Sequence, residues 1–342
     1  MTDPFRSDLD RVVATLAPLW PDLAAKRLFL TGGTGFIGRW LLEALAAADA
    51  AHGLGVEVVV LTRDPASVAV KTPHLAGRFR YVAGDVLDLA ADGSHYDFVI
   101  HAATDASADL NRRDPRRMFD TIVTGTRRAL DFAVAAQATR FFFLSSGAVY
   151  GAQPWDVTHV AEDWRGGPDC AEPMNAYAEG KRAAEMLCGI YGRQFDLDVV
   201  NARIFALLGP LLSLDIHFAA GNFIRDALAG QTIRVEGAGT AVRSYLYAAD
   251  LTVWLWTILL RAARGATYNI GSEEAVSIAD LAARTATLLG GTHEILGRPD
   301  PGWNPGRYVP ATAKIRGELN LAATVGLDEA IRRTASANGW QQ

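Results

Sequence analysis

Tyr177 and Lys181 stand four residues apart in the segment NAYAEGK, a spacing that puts a phenol and an ammonium on one face of a helix. A neighbouring cation lowers a phenol's pKa and lets it exchange a proton near neutrality. Ser146 closes the run RFFFLSS and can hydrogen-bond the same reacting oxygen. On its own, Tyr-x-x-x-Lys reads equally as a solvated helix face. Its force comes from order: a glycine-rich loop precedes it, then a serine at a strand end, then the Tyr-Lys pair on the next helix. Together the three side chains predict proton handling beside a bound dinucleotide that exchanges hydride.

The glycine loop is TGGTGFIG (31–38), and it follows a strand and opens a helix, as a dinucleotide fingerprint requires. Gly32 permits the tight turn, Gly35 lets backbone approach a pyrophosphate, and Gly38 lets helix and strand pack closely. Thr34 lies inside the loop, and Phe36 and Ile37 begin a helix whose free N–H groups and positive dipole end face the phosphates. The second strand ends in Arg63 where an acid usually receives the ribose hydroxyls of NAD. A guanidinium there favours a 2′-phosphate, with Arg39 as a second charge, so NADP is the expected cofactor. Asp64, one position on, leaves NAD open. Asp85, ending the third strand, suits either the adenine amino group or the cap of a turn.

These groups need a scaffold that brings strand ends together. Short apolar runs at 27–31, 56–62, 79–85, 97–102, 140–146 and 198–205 read as central strands of a parallel sheet. Helical spacing fills the gaps, for example at 36–48, 116–136 and 176–195. The order is that of a doubly wound α/β (Rossmann) sheet, with ligands at the carboxyl ends of its strands. Residues 6–25 carry helically spaced apolar positions ending near Pro21 and read as a packing appendage. After Gly209-Pro210 the alternation breaks down into a helix around 223–228 and short strands near 233–236 and 244–247. The expected division is a dinucleotide-binding part over 1–203, also taking in about 243–265, and a smaller substrate lobe over the rest of 204–342. GRPDPGWNPG (297–306) reads as a surface loop. WLW at 254–256 lies on a helix with Leu251, Leu255 and Leu259 and reads as core.

With 33 basic and 38 acidic residues, a net charge of −5 offers no electrostatic reason to expect nucleic acid or an anionic membrane as partner. The N-terminus lacks the layout of a signal peptide, and the most hydrophobic stretch, 251–260, is too short to span a bilayer. Cys170 and Cys188 cannot form a disulfide framework, which suits a reducing cytoplasm. Seven histidines are scattered without metal-ligand spacing, so no metal is expected.

TGGTGFIG, HAA (101–103), SSGAVYG (145–151), NAYAEGK (175–181), RIFALLGP (203–210), VRSYLYAADL (242–251) and YNIGS (268–272) together resemble the extended short-chain dehydrogenase/reductases of the NAD-dependent epimerase/dehydratase type that act on nucleotide-diphosphate sugars. The resemblance runs from about Lys26 to the C-terminus. It implies a homodimer formed through the helices that carry the Tyr-Lys pair. It also implies that Ser146 and Tyr177 contact the reacting sugar oxygen, that Lys181 and Tyr177 meet the cofactor together with Val86, Ala102 and Ala103, and that Arg243 pairs with the substrate diphosphate. Asn222 is expected to contact the substrate, whereas His217 reads first as a structural histidine. The departures direct the chemistry. Members that dehydrate hexoses carry Asp and Glu after the active-site hydroxyl residue, and here Gly147 and Ala148 stand there. Ala206 replaces a usual asparagine. The implied reaction is NADP-dependent reduction of a 4-keto nucleotide sugar, with 4-epimerisation on the same groups as the alternative and a cofactor sensor without turnover as a remote one.

Overall fold

The computed structural model describes residues 4–104, 108–215, 218–300 and 306–341. The six apolar runs form strands β1 (Arg27–Thr31), β2 (Glu57–Thr62), β3 (Arg80–Ala83), β4 (Phe98–His101), β5 (Arg140–Ser146) and β6 (Asp198–Ile204), and Thr267–Ile270 adds β7. They make one parallel sheet in the order β7-β6-β5-β4-β1-β2-β3. The order reverses between β1 and β4, where Thr31 sits opposite His101. A crevice opens at such a switch point, and the glycine loop and the HAA segment leave the sheet on its two sides.

Alternation along β5 shows why these runs are apolar throughout. Phe142 and Leu144 enter the core on one face, and Phe141 and Phe143 enter the core on the other. The first face is covered by α1 (Pro4–Thr15), α2 (Phe36–His52) and, after the chain leaves the sheet, α6 (Ala248–Arg261). The second is covered by α3 (Pro115–Ala135) and α4 (Ala176–Gln194). Between α4 and α6 lies α5 (Ala219–Leu228); α7 (Ile278–Leu289) and α8 (Leu327–Ser336) follow α6, and all three pack into the first core. That core therefore runs without a break from the cofactor sheet into the C-terminal region.

Three features differ from the sequence reading. The strand expected over 244–247 is two pieces, because Val242–Arg243 pairs with Val276–Ser277 and Arg307–Tyr308 while Leu246–Tyr247 pairs with Leu207–Leu208. The strand β7 went unread: it is four residues long, bounded by Gly265 and Gly271, and takes its pairing from β6 on one side. It carries the return to the sheet past residue 265. The N-terminal segment, finally, is part of the core rather than an appendage. Val12, Leu16, Trp20 and Leu23 are buried, and the Trp20 ring meets Trp256 edge-on at 5.7 Å. Asp8, fully buried, accepts from the Tyr247 hydroxyl and from Arg333 at 2.6 Å, and Arg11 reaches Asp250 at 3.1 Å.

Truncating a buried tryptophan removes its apolar burial and leaves a cavity. Trp20→Ala is expected to lower unfolding free energy by about 3–5 kcal/mol, measured by denaturant titration. A loss within error of zero would return the N-terminal segment to the status of an appendage.

Candidate active site

The loop between β1 and α2 is held by contacts that only glycine allows. Gly32 has φ +73°, and a Cβ there would lie 2.6 Å from the Ala102 backbone; one at Gly38 would lie 2.3 Å from the Gly32 carbonyl oxygen. Gly33 presses on Val60 in the same way. Gly35 is different: a Cβ there would meet nothing closer than 3.4 Å, so internal packing does not demand its bareness. A ligand approaching the backbone would. Gly35 is also the N-cap of α2 and offers no side-chain cap, so the first-turn N–H groups at Phe36 and Ile37 stay available for an anion. Thr31 Oγ1 receives the Ala103 N–H at 3.1 Å and meets His101 Nδ1 at 2.8 Å, which locks the two loops of the switch point together. Burial depresses His101 to about 3, so its ring is a neutral strut between Thr31 and Thr126.

A cavity of about 370 Å³ opens over this loop, lined by Gly32, Thr34, Gly35, Arg63, Asp64, Asp85, Val86, Ala102 and Ala103 among others. Its residues fit the dinucleotide that the glycine loop implies. Arg39 is not among the residues that line it, and its Nε is buried without a partner. Lys71, at the end of the short helix Ala66–Lys71, lines the cavity with Ser67 instead. Asp64 accepts from the Ser67 N–H at 3.1 Å. Asp85 caps the turn, accepting from Leu87 N at 3.0 Å, and also lines the cavity.

Lys181 lies almost wholly out of solvent. Its ammonium donates to the Leu144 carbonyl at 2.8 Å and to Thr104 Oγ1 at 2.9 Å, above the face of Phe143. Burial pulls it down to about 7, against the opposing pull of Glu185 one turn on. Tyr177 hydrogen-bonds Ser146, which opposes the larger effect of burial; the phenol is therefore held above its ordinary value. The spacing argument expected a neighbouring cation to lower it; burial sets the direction instead, opposed by the Ser146 hydrogen bond. Ser146 Oγ also takes the Ala148 N–H at 3.1 Å and lies 3.4 Å from the Tyr308 hydroxyl, which donates to the Ile204 carbonyl at 3.3 Å.

Gly147 is closed off. A Cβ there would strike the Phe205 ring at 2.6 Å, and Phe205 rests on Tyr308 with ring centroids 4.5 Å apart. Behind the site, the sequence motifs meet in one buried network. Arg203 grips Glu185 with bonds of 2.7 and 3.0 Å, Ser145 donates to the same carboxylate at 2.6 Å, and Arg203 reaches the Tyr150 hydroxyl, which donates to Asn269. Arg243 turns onto the carbonyls of Val242 and Gly306. Asn222, in the first turn of α5, meets Arg225 at 3.4 Å. His217 lies outside the described residues. Thr104, Glu185, Lys71 and Tyr308 escaped the sequence reading; only Glu185, one turn beyond Lys181, had a signal in its spacing.

A switch-point crevice with a glycine loop beside a Ser-Tyr-Lys cluster is the layout of a Rossmann-type dinucleotide-dependent enzyme. The chain belongs to the NAD dependent epimerase/dehydratase family, whose model matches residues 28–271; it is thus a member of a family of enzymes that work on nucleotide sugars through NAD. It is 29% identical over 311 residues to UDP-glucuronic acid decarboxylase 1 of Xenopus tropicalis, covering 90% of this chain and 71% of that protein. It is also similar to the crystal structure of dTDP-glucose 4,6-dehydratase from Streptomyces venezuelae with NAD bound, at TM-score 0.78 and 26% identity over 91% of this chain and 96% of the other. UDP-glucose 4-epimerase from Thermotoga maritima shares the fold at TM-score 0.77 and 21% identity, over 91% and 98%. No described helix is long and apolar enough to cross a membrane.

The buried ammonium carries a pH signature. The ordinary value is 10.5 and the folded value about 7, so between these the folded chain sheds the proton while the unfolded chain keeps it, and stability rises with pH. Lys181→Met is expected to melt above the parent protein at pH 7 without ligand, with the gap closing toward pH 10. A gap that stays constant across this window would remove the buried charge from the account.

Proposed function

We propose that this protein reduces the 4-keto group of a nucleotide-diphosphate-linked deoxysugar with NADPH. The observation that carries the reading is the pairing of an intact Ser146, Tyr177 and Lys181 set with a closed Gly147 and an Ala148. The decarboxylase and dehydratase named above are relatives, yet the acid and base that follow the hydroxyl residue in dehydrating members are missing here. Phe205 fills the space into which a side chain at 147 would grow. What remains is carbonyl–alcohol interconversion.

The nicotinamide cofactor supplies hydride when bound. The chain's own residues handle the oxygen. Ser146 hydrogen-bonds and polarises the carbonyl, and Tyr177, kept protonated by its raised pKa, delivers the proton. Lys181 holds the nicotinamide ribose, Arg243 the diphosphate, and Asn222 a further part of the substrate. In this reading 1–203 with 243–270 serves the cofactor, and the remainder of 204–342 the sugar nucleotide. Met186 and Ile190, exposed one turn apart on α4, and Phe119 on α3 support a homodimer through these helices. Free Cys170 and Cys188 suit the reducing cytoplasm.

The deciding experiment incubates the protein with NADPH and a panel of UDP- and dTDP-sugars, including 4-keto-6-deoxy forms, and follows absorbance of the reduced cofactor and the sugar product. Keto sugar consumed in step with NADPH is the expected result, abolished in Tyr177→Phe with cofactor affinity retained. Epimerised product without net oxidation would make the protein a 4-epimerase. Cofactor binding without turnover of any sugar would leave a sensor.

Preference for the 2′-phosphate rests on Arg63 and Lys71. Both line the adenosine side of the cavity, and among the described residues neither joins an ion pair. Asp64 already spends one oxygen on Ser67. Arg63→Ala is expected to weaken NADP binding at least tenfold while leaving NAD binding within about twofold, since a charge-assisted pair is lost only with the former. Calorimetric titration checks this, and equal losses for both cofactors would return the preference to NAD.

A further inference from the structure

The helix that carries Tyr177 and Lys181 starts without a cap of its own. Asn175 occupies the N-cap position of α4 but makes no side-chain bond to the first-turn amides. Its Nδ2 donates to the Asp169 carbonyl at 2.9 Å instead. The first N–H groups of a helix have no intrahelical acceptor, and a cap oxygen ordinarily serves the second or third of them.

Here that oxygen comes from elsewhere in the chain. The Tyr177 backbone N–H donates to Asn111 Oδ1 at 3.1 Å, across 66 residues of sequence. The Asn111 Nδ2 donates to the Met174 carbonyl at 2.7 Å. One amide group on the short helix Ala108–Arg113 thus grips α4 on both sides of its start. A few residues before it, Thr104 receives the Lys181 ammonium, so neighbouring parts of one segment meet both functional residues of α4.

We propose that Asn111 is a positioning residue: it caps α4 in trans and thereby sets the Tyr177 phenol against Ser146. The proposal rests on the reading of Tyr177 as the group that exchanges the proton. Tyr177 is the second residue of the helix, so its backbone depends directly on the cap. Lys181 sits one turn deeper and is tied to the Leu144 carbonyl, so it stays in place when the first turn loosens. Loss of Asn111 therefore falls on proton transfer rather than on cofactor binding.

Three variants of the full chain, Asn111→Ala, Asn111→Asp and Tyr177→Phe, test this. Aspartate keeps the acceptor oxygen, and its charge is favourable at a helix N-terminus; alanine keeps nothing. Hydrogen exchange of the peptide spanning 174–178 is read alongside turnover of the sugar panel, the pH profile of kcat and NADPH affinity, with melting temperature as the check on folding. In Asn111→Ala, exchange at the start of α4 is expected to accelerate at least tenfold. The same variant is expected to lose about tenfold in kcat, as a misplaced reacting group does, with a shifted alkaline limb and with KM and cofactor affinity within twofold. Asn111→Asp restores both readouts. Parental exchange in Asn111→Ala overturns the proposal, and so does faster exchange with a parental kcat and pH profile, which would make the contact a purely structural cap. If the parent turns over none of the sugars, or Tyr177→Phe is as fast as the parent, it is the reading of Tyr177 that fails.

Discussion

An ammonium group taken out of water organises this molecule. Removing a charge from solvent costs several kcal/mol unless partners replace the lost hydration, and Lys181 is supplied with them from four directions. The Leu144 carbonyl comes from the end of β5, Thr104 from beyond β4, the Phe143 ring from the sheet face, and the Glu185 carboxylate from the next turn of α4. The carboxylate among these partners is itself pinned. Glu185 is gripped by Arg203 on β6 and by Ser145 on β5, and Arg203 leads through Tyr150 to Asn269 on β7. Three neighbouring strands and the catalytic helix thus share one electrostatic arrangement, and the positions of Ser146 and Tyr177 follow from it.

The same constraint explains which parts of the site spoke through the sequence. Strands buried on both faces are dominated by apolar residues, so the central runs could be read directly, and β3, half-exposed at the sheet edge, followed from its place in the alternation. A loop that must pass within van der Waals distance of its own helix must be glycine, so Gly32 and Gly38 could be read as well. Contacts made across the fold leave no such trace. Asn111, Thr104 and Tyr308 reach the site from segments whose local composition is ordinary, and their distance along the chain hides them. Arg39, expected beside the glycine loop from its nearness in sequence, is not among the residues that line the cavity. The phenol of Tyr177 was misjudged because helical spacing reports a neighbouring cation and says nothing of how deeply both groups are buried.

Differences within the family become physical at Gly147. The glycine is not an open slot awaiting an acid, since Phe205 lies against it and Tyr308 lies against Phe205. A carboxylate side chain at this position would require the Phe205 ring, and with it the tilted Tyr308 ring, to move. In the reading proposed above, the absence of an acid at this position is therefore built into the packing around the serine, more deeply than a single substitution suggests.

The buried Asp8 binds Arg333, 325 residues away in sequence, and α1 also leans on Arg11–Asp250. Contacts so distant along the chain form late, because loop closure must precede them. Because chains emerge from the N-terminus onward, α1 leaves the ribosome well before its partners on α6 and α8 and settles only when they arrive. Until then Asp8 remains hydrated and the apolar side of α1 stays uncovered. α1 thus acts as a closing latch of the fold, and a nascent chain that has not yet delivered α8 would expose both halves of that latch to quality control.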